Sequence, residues 1–207
     1  GSAQVRASGT VCGNIANGSP IGDLPPMLIA LAAEIELVGP ASNRRLPLDA
    51  FFIDYGRQDR ETDEFVSAIL VPATPTPLFR AYKISKRYDQ DISAVLGAFN
   101  LTVSRRRITS ARLAFGGMAA TPKRAAAAEA ALTGAPLELA SFEAAAAALA
   151  ADFTPITDMR ASADYRLQVA ANTLLKYGLD VTGAPVPRLT GAGLSADDLR
   201  TAAPGAG

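Results

Sequence analysis

Three prolines within six residues are the feature that most restricts how this sequence can fold. Pro72, Pro75 and Pro77 lie in the segment 72–77, and each lacks the backbone N–H that a helix interior or a central strand requires. A single helix or strand across this segment is excluded, and we therefore predict a domain boundary here. The full length of 207 residues allows one or two domains with a buried core.

The composition excludes several kinds of chemistry. The chain has no histidine and one cysteine, which rules out Ser-His-Asp and Cys-His nucleophiles, histidine-based zinc or haem sites, and all-cysteine zinc or iron–sulfur sites. Lys+Arg and Asp+Glu both number 20, and the resulting net charge of zero argues against nucleic-acid or anionic-membrane binding. We therefore expect any redox or transfer chemistry to need a bound cofactor.

The sequence carries no evident targeting signal. No stretch approaches the ~20 apolar residues of a membrane helix, and residues 1–6 contain no apolar signal-peptide core. A single cysteine fits a cytoplasmic protein, which is the location we expect. The first residue is Gly1 rather than Met, so we expect that the chain was processed or cut, or that Gly1-Ser2 is not native.

The part before the prolines mixes helix and strand patterns. Residues 9–22 are crowded with Gly, Asn, Ser and Pro and predict a loop. Pro25-Pro26 predict a short helix to Leu31, with Asp23 near its N-terminus. The other predicted elements are strands over 34–38, 44–48 (an edge strand because of Pro47) and 64–71, a helical turn over 49–55 and a charged loop over 57–63.

The part after the prolines predicts a sheet followed by three helices. The strands are expected over 79–83, 93–103 and 108–115, with a hairpin turn at 104–107. The helices are expected from Thr121-Pro122 to Leu132 (ended by Gly134), over 142–151 after the cap Ser141, and from the cap Ser162 to Lys176 and Gly178. From about residue 181 the chain lacks periodicity and predicts a flexible tail. Together these elements predict an α+β fold.

The segment 8–23 contains the pattern most suited to binding an anion. Its glycines let backbone N–H groups approach an anion, and its Thr, Asn and Ser side chains add neutral hydrogen bonds. It contains no lysine, so it is not a Walker A loop, and its glycine spacing is not that of a Rossmann fold. A tight turn without any ligand explains the same spacing, and the pattern alone leaves both interpretations open.

Residues 10–23 (TVCGNIANGSPIGD) closely resemble the second FAD-binding motif of the molybdenum hydroxylase flavoproteins. The resemblance continues in the blocks 79–87, 89–92, 115–119 and 158–163, which are characteristic of bacterial xanthine dehydrogenase small subunits. It covers nearly all of the chain except the tail. The 89–92 block (DQDI) favours xanthine dehydrogenase over sibling enzymes such as carbon monoxide dehydrogenase.

The resemblance implies a domain map and an architecture. Residues 1–72 correspond to the second, incomplete lobe of a two-lobed FAD-binding domain, 78–180 to the flavoprotein C-terminal domain, and 181–207 to a flexible tail. The second domain is expected to be a small antiparallel sheet with a three-helix bundle, like the C-terminal domain of the CO dehydrogenase flavoprotein. The [2Fe-2S] region and the first FAD motif would lie upstream.

The resemblance also implies partners and a reaction. A large subunit carrying molybdopterin would oxidise xanthine or hypoxanthine to urate, and electrons would pass through [2Fe-2S] clusters to FAD and then to NAD. We expect a hetero-oligomer, with the isolated chain inactive. Two alternatives remain: a non-catalytic fragment or assembly domain without flavin, and the flavin subunit of a sibling enzyme such as carbon monoxide dehydrogenase.

Carried over residue by residue, the resemblance assigns a cofactor site. Thr10, Gly13 and Asn14 would line the FAD pyrophosphate, and Asp23 would face the ribityl or ribose region. Cys12 departs from the family, which usually has glycine there, and its Cβ would either crowd the diphosphate or point away. From the residue alone, Cys12 is expected to be inert.

The flavin ring itself would lie against Val66 and Lys83, with Lys83 near its polar edge. The stretch 85–92 would form a loop beside the flavin where NAD approaches. Without the family, Lys83 is equally a solvated strand lysine, and residues 86–91 are equally a mixed-charge surface turn. The acidic residues Asp59, Glu61, Asp63 and Glu64 lack calcium-loop spacing and predict a solvated loop. We assign no catalytic base and no metal ligand.

Overall fold

The computed structural model describes residues 3–40, 43–87 and 91–183. The first domain combines short helices with a three-stranded antiparallel sheet of order β2-β1-β5, and β3 and β4 form a separate ribbon. Its elements are α1 (Ala3–Ser8), α2 (Val11–Asn17), α3 (Leu24–Ala30), β1 (Glu34–Val38), β2 (Asn43–Pro47), α4 (Leu48–Phe51), β3 (Phe52–Asp54), β4 (Arg57–Gln58) and β5 (Phe65–Leu70). The expected edge strand is confirmed as β2.

The second domain is an antiparallel sheet of order β6-β7-β8-β9 covered by three helices. Its elements are β6 (Arg80–Ser85), β7 (Ser93–Ser104), β8 (Arg107–Gly116), β9 (Lys123–Arg124), α5 (Ala126–Leu132), α6 (Leu139–Asp152) and α7 (Ala163–Thr182). The predicted α+β fold is confirmed. In the described part of the chain, no helix combines the length and apolarity needed to span a membrane.

The sheet of the second domain is buried on both faces. Phe99 and Phe115 pack towards its own helices. Leu96, Ala98 and Ala114 belong instead to the core of the first domain, where α3 lies against β7 and β8. A strand covered on both faces needs an unbroken apolar run, which β7 has. The two domains therefore share a packed interface.

The predicted loop over residues 9–22 is wrong in its first half, which forms α2. The Thr10 side chain caps this helix by accepting a hydrogen bond from the Gly13 backbone N–H at 3.0 Å. Gly18 ends it with a φ of 63°, in the left-handed region that glycine adopts without strain. The segment is therefore not one continuous loop. Gly18 ends a helix, and both Gly13 and Gly18 lie where a Cβ would collide with a neighbouring side chain.

Two helix starts in the second domain differ from the prediction. Lys123 and Arg124, expected in the first helix, pair with β8 as strand β9, and α5 begins only at Ala126. The next helix, α6, begins at Leu139 rather than after Ser141, whose hydroxyl donates to the Pro136 carbonyl at 2.8 Å. Pairing with the sheet outweighed the local helix signal of Thr121-Pro122.

Gly178 does not end the last helix as predicted. Helix α7 continues to Thr182 and is capped by Gly183, which has a φ of 84°. A Cβ on Gly178 would lie 2.6 Å from Phe142 Cγ, so this glycine allows α7 and α6 to approach closely. The Ser162 cap is confirmed, because its hydroxyl accepts from the Tyr165 N–H at 3.2 Å. The predicted tail lies largely outside the described residues.

The acidic segment 59–64 is not wholly a solvated loop. Glu64 is 5% exposed, and its carboxylate accepts hydrogen bonds from Nε and Nη2 of Arg44, each at 2.8 Å. Asp59 accepts a further hydrogen bond from Arg44 Nη1 at 3.1 Å. A carboxylate is stable at a buried position only when it is paired in this way, which the composition of the segment alone does not reveal.

Candidate functional site

The first turn of α2 presents a surface that side chains leave open. Thr10, Gly13 and Asn14 are all exposed. The Thr10 hydroxyl folds back onto the helix, and a Cβ on Gly13 would lie 2.6 Å from the Thr10 Oγ1 atom. Any larger residue at position 13 would therefore disturb the cap and fill the space above the turn.

Cys12 points away from this surface. Its thiol lies 3.7 Å from the Ser67 carbonyl oxygen on β5, and the side chain packs against the apolar core of the first domain. Of the two alternatives for this departure from the family pattern, the structure supports the second. The Cβ of Cys12 leaves the exposed face of α2 open.

Asp23, Lys83 and Ser93 form a closed polar cluster at the junction of the two domains. Lys83 Nζ lies 2.7 Å from Asp23 Oδ2 and 2.8 Å from Ser93 Oγ. The Ser93 hydroxyl donates to Asp23 Oδ1 at 2.5 Å. Asp23 precedes α3 in the first domain, whereas Lys83 lies on β6 and Ser93 begins β7 in the second. The hydrogen bonds of this cluster therefore link the start of α3 in the first domain to β6 and β7 in the second.

Val66 does not join that cluster. Its side chain is 9% exposed and belongs to the apolar core beneath α2, where β5 pairs with β1. Lys83, by contrast, is not the freely solvated strand lysine that the pattern alone allowed, because both partners hold its ammonium group.

Two cavities lie near this junction, the first between the two domains and the second within the second domain. One cavity, of about 360 Å³, is lined by Ser19, Pro20, Ile21, Tyr55, Gly117, Ala119, Ile156, Asp158, Arg160 and Arg166. A second, of about 430 Å³, is lined by Ser85, Lys86, Ala94, Asp158, Met159, Arg160, Ala161, Ser162 and Tyr165. Asp158 and Arg160 line both cavities, so the two adjoin at these residues.

Arg166 makes hydrogen bonds to residues that line the two cavities. The residue is 1% exposed, and its guanidinium donates to the carbonyl oxygens of Ala94 and Gly117 and to Asp158 Oδ1. Burial tends to raise the pKa of Asp158. Hydrogen bonds from the backbone N–H groups of Arg160 and Ala161 and from Arg166 outweigh burial and hold that pKa below its usual value. Asp158 is thus a charged structural anchor.

The exposed residues on α2 offer neutral polar groups to an anion such as a diphosphate. A Cβ on Gly13 would meet the side chain of Thr10 alone within 4 Å, Cys12 is turned away, and Thr10 and Asn14 carry neutral polar groups. Neutral donors can bind a diphosphate. The backbone N–H groups of Gly13 and Asn14 already donate to Thr10, so the donors that Thr10 and Asn14 offer to a ligand are the side-chain hydroxyl and amide.

The described residues do not suggest a metal centre. Nowhere in residues 3–40, 43–87 and 91–183 do three or more His, Cys, Asp or Glu side chains converge as metal ligands would. The loop proposed for acceptor access is only partly described, because residues 88–90 lie outside the described part. Within it, Lys86 Nζ donates to the Met159 carbonyl at 2.7 Å, and Arg87 pairs with Asp91 at 3.5 Å.

Sequence reasoning missed Ser93, Tyr55 and Arg166. The sequence pattern predicts Ser93 only as the start of a strand, although the residue directly follows the block 89–92 that carries the resemblance. Tyr55 and Arg166 line the cavity between the domains only because tertiary packing brings them there. The short block 158–163 did carry a signal, because it contains both Asp158 and Arg160.

Two family models match this chain in succession. A model described as FAD binding domain in molybdopterin dehydrogenase matches residues 1–74. A model described as CO dehydrogenase flavoprotein C-terminal domain matches residues 80–181. The first matched region ends within the proline-rich segment and the second begins shortly after it, and between them they contain every residue of the Asp23–Lys83–Ser93 cluster.

Individual proteins match over most of the chain. The carbon monoxide dehydrogenase medium chain of Afipia carboxidovorans is 32% identical over 167 residues, which is 81% of this chain and 58% of that protein. The xanthine dehydrogenase FAD-binding subunit of Escherichia coli O157:H7 is 31% identical over 168 residues, which is 80% of this chain and 58% of that protein.

A solved structure shares the fold. The carbon monoxide dehydrogenase from Hydrogenophaga pseudoflava that lacks the Mo-pyranopterin moiety gives a TM-score of 0.80 at 32% identity, over 84% of this chain and 61% of that chain. This chain therefore spans less than two thirds of the length of each of these relatives.

Proposed function

This chain belongs to the FAD-binding subunits of the molybdenum hydroxylase family, and from that premise we propose that it forms part of the flavin site of a xanthine dehydrogenase. In the proposed enzyme, xanthine or hypoxanthine is oxidised at a molybdopterin centre on a separate large subunit. When bound, FAD supplies the redox chemistry that links the [2Fe-2S] clusters to NAD.

The observation that carries this proposal is the Asp23–Lys83–Ser93 cluster. It combines the residue that precedes α3 in the FAD-binding domain with two residues of the C-terminal domain, at distances of 2.5–2.8 Å. A flavin ring offers carbonyl and nitrogen acceptors along one edge, and the ammonium of Lys83 is a suitable donor to them. In this proposal, Thr10, Gly13 and Asn14 bind the diphosphate.

The cavity within the second domain supports an approach for NAD. It has a volume of about 430 Å³, and its lining includes Ser85, Lys86 and Arg160. A pyridine dinucleotide carries a negatively charged diphosphate, which cationic side chains attract. We propose that the acceptor enters here, beside the loop 85–92.

A carbon monoxide dehydrogenase is the second candidate. The medium chain of that enzyme is as similar to this chain as the xanthine dehydrogenase subunit is. A third candidate is an assembly domain without flavin. Flavin content and substrate separate the three.

The test is to purify the full-length subunit with its large subunit and measure flavin absorbance and acceptor reduction. We expect bound FAD and xanthine-dependent formation of NADH. Dye reduction that depends on carbon monoxide but not on xanthine would establish the second candidate. A folded complex that retains no flavin after FAD is added would overturn the proposal and favour the assembly domain.

A further inference from the structure

Ser93 is the buried member of the cluster that joins the two domains. The residue is 1% exposed, whereas the side chains of Lys83 and Asp23 are 39% and 27% exposed. It lies opposite Ser85, where the pairing of β6 and β7 shifts register between Ile84 and Ser85. Irregularities of this kind redirect side chains at the ends of strands, and here one directs a hydroxyl towards Asp23.

The hydrogen bonds of the cluster leave one donor unused. The Ser93 hydroxyl has one hydrogen, which it donates to Asp23, and it accepts from Lys83. An ammonium group has three N–H donors, and Asp23 and Ser93 take two of those on Lys83. Among the described residues, no further hydrogen bond of this ammonium is seen, so the third donor is available to a ligand.

Two bonds fix the direction of that third donor. A lysine side chain has four carbon–carbon torsions and samples many rotamers when only one ion pair holds it. With contacts of 2.7 Å to Asp23 and 2.8 Å to Ser93, the ammonium cannot rotate without breaking one of them. Because Asp23 neutralises its charge, the pair presents a directed hydrogen bond and no net charge.

We propose that Ser93 is a positioning residue, which fixes the ammonium of Lys83 against the carboxylate of Asp23 so that the third N–H of Lys83 is directed at the bound flavin. Ser93 is buried behind the pair and acts through Lys83 rather than by touching the cofactor. This inference rests on the proposed flavin site and adds to it a residue that the resemblance did not assign.

The test uses the full-length FAD-binding subunit that contains this chain, with FAD affinity measured by flavin fluorescence. Ser93→Ala removes the hydroxyl, and Ser93→Cys nearly preserves the side-chain size while leaving only a weak donor and acceptor. We expect both to raise the dissociation constant for FAD about 5- to 10-fold, as loss of one hydrogen bond does. Thr109→Ala is the matched control, because it deletes an exposed hydroxyl bond within the same β-hairpin.

A double-mutant cycle separates positioning from simple packing. In a Lys83→Ala background, Ser93 has no ammonium to position, so we expect Ser93→Ala to change FAD affinity less than about 2-fold. An equal loss in both backgrounds, or wild-type affinity in Ser93→Cys, would show that Ser93 only fills space and would overturn the inference. Thermal unfolding of each variant reports whether it folds, and Ser93→Cys keeps the test valid if Ser93→Ala does not.

The outcome for the wild type distinguishes this inference from the proposed function. If the wild-type subunit binds FAD and both Ser93 variants bind it equally well, only the positioning role fails. If the folded wild-type subunit binds no FAD, the proposed function fails and the positioning role fails with it.

Discussion

Arg44 donates two parallel hydrogen bonds to Glu64, from Nε to Oε1 and from Nη2 to Oε2, each 2.8 Å long. The backbone N–H of Glu61 adds a third bond to Glu64 Oε2, also at 2.8 Å. Hydrogen bonds from Arg44, and then the one from Glu61, lower the pKa of Glu64 from its usual 4.5 to about 2. The charged form of this carboxylate is therefore part of the folded state.

We expect the stability of the first domain to fall in acid because of Glu64. A carboxylate whose pKa is lower when folded stabilises the fold fully above its unfolded pKa and loses that contribution as the pH falls through its folded pKa. The loss should run from about pH 5 to about pH 2. Urea unfolding across this range should show a weaker pH dependence in Glu64→Gln. Glu61→Gln, which removes a neighbouring exposed carboxylate, is the control and should match the wild type.

Arg166→Met should destabilise the second domain by about 3 kcal/mol, because it leaves two carbonyl oxygens and Asp158 without their donor. Arg160→Met is the matched control. Arg160 lies 3.7 Å from the same carboxylate and its side chain is 29% exposed, so the expected loss is below about 1 kcal/mol. Urea unfolding measures both, and equal losses would contradict the role assigned to Arg166.

Gly178→Ala should destabilise the chain by about 1–3 kcal/mol, although alanine is the better helix former. The new Cβ would lie 2.6 Å from Phe142 Cγ, and Phe142 is fully buried, so the neighbouring ring cannot move aside freely. Asn172→Ala, at an exposed position of α7, is the control and should be neutral or stabilising. A rise in melting temperature for Gly178→Ala would show that α6 and α7 are less tightly packed than described.

Local patterns predicted most of the strands in this fold. Alternation located β1, and the proline at position 47 marked β2 as an edge strand, because these signals depend only on adjacent residues. The failures at Gly178, Lys123 and Arg124 have a different cause. Each depends on a partner distant in sequence: Phe142 for Gly178, and strand β8 for the other two.

The family resemblance names the candidate site residues one by one but does not predict how they are arranged. Asp23 and Lys83 were each singled out from the family resemblance, yet their direct contact joins residues 60 positions apart. That contact exists because α3 packs on the sheet of the second domain. Ser93 carried no signal of its own, since a serine at the start of a strand is ordinary, and only the register shift beside it directs its hydroxyl towards Asp23.

Asp23→Ala and Lys83→Ala should each weaken FAD binding by the full-length subunit about 10-fold, the usual effect of losing a charge-assisted hydrogen bond. Flavin absorbance after desalting gives the retained fraction, and a fluorescence titration gives the dissociation constant. Arg45→Ala, which removes a cation from a side chain that is 56% exposed, is the control. Unchanged affinity in both cluster variants would refute the assignment of this pair to the flavin.

Cys12→Gly restores the residue that the family usually has, and it decides whether the Cβ of Cys12 matters to the cofactor. The thiol lies against Ser67 on β5 and packs on the core, so we expect unchanged FAD affinity and a loss of about 1 kcal/mol in stability, from lost packing together with the low helix propensity of glycine. Ala16→Gly in the same helix is the control for that penalty. If Cys12→Gly instead bound FAD more tightly than the wild type, the Cβ would crowd the diphosphate, and α2 would have to turn on binding to bring it there.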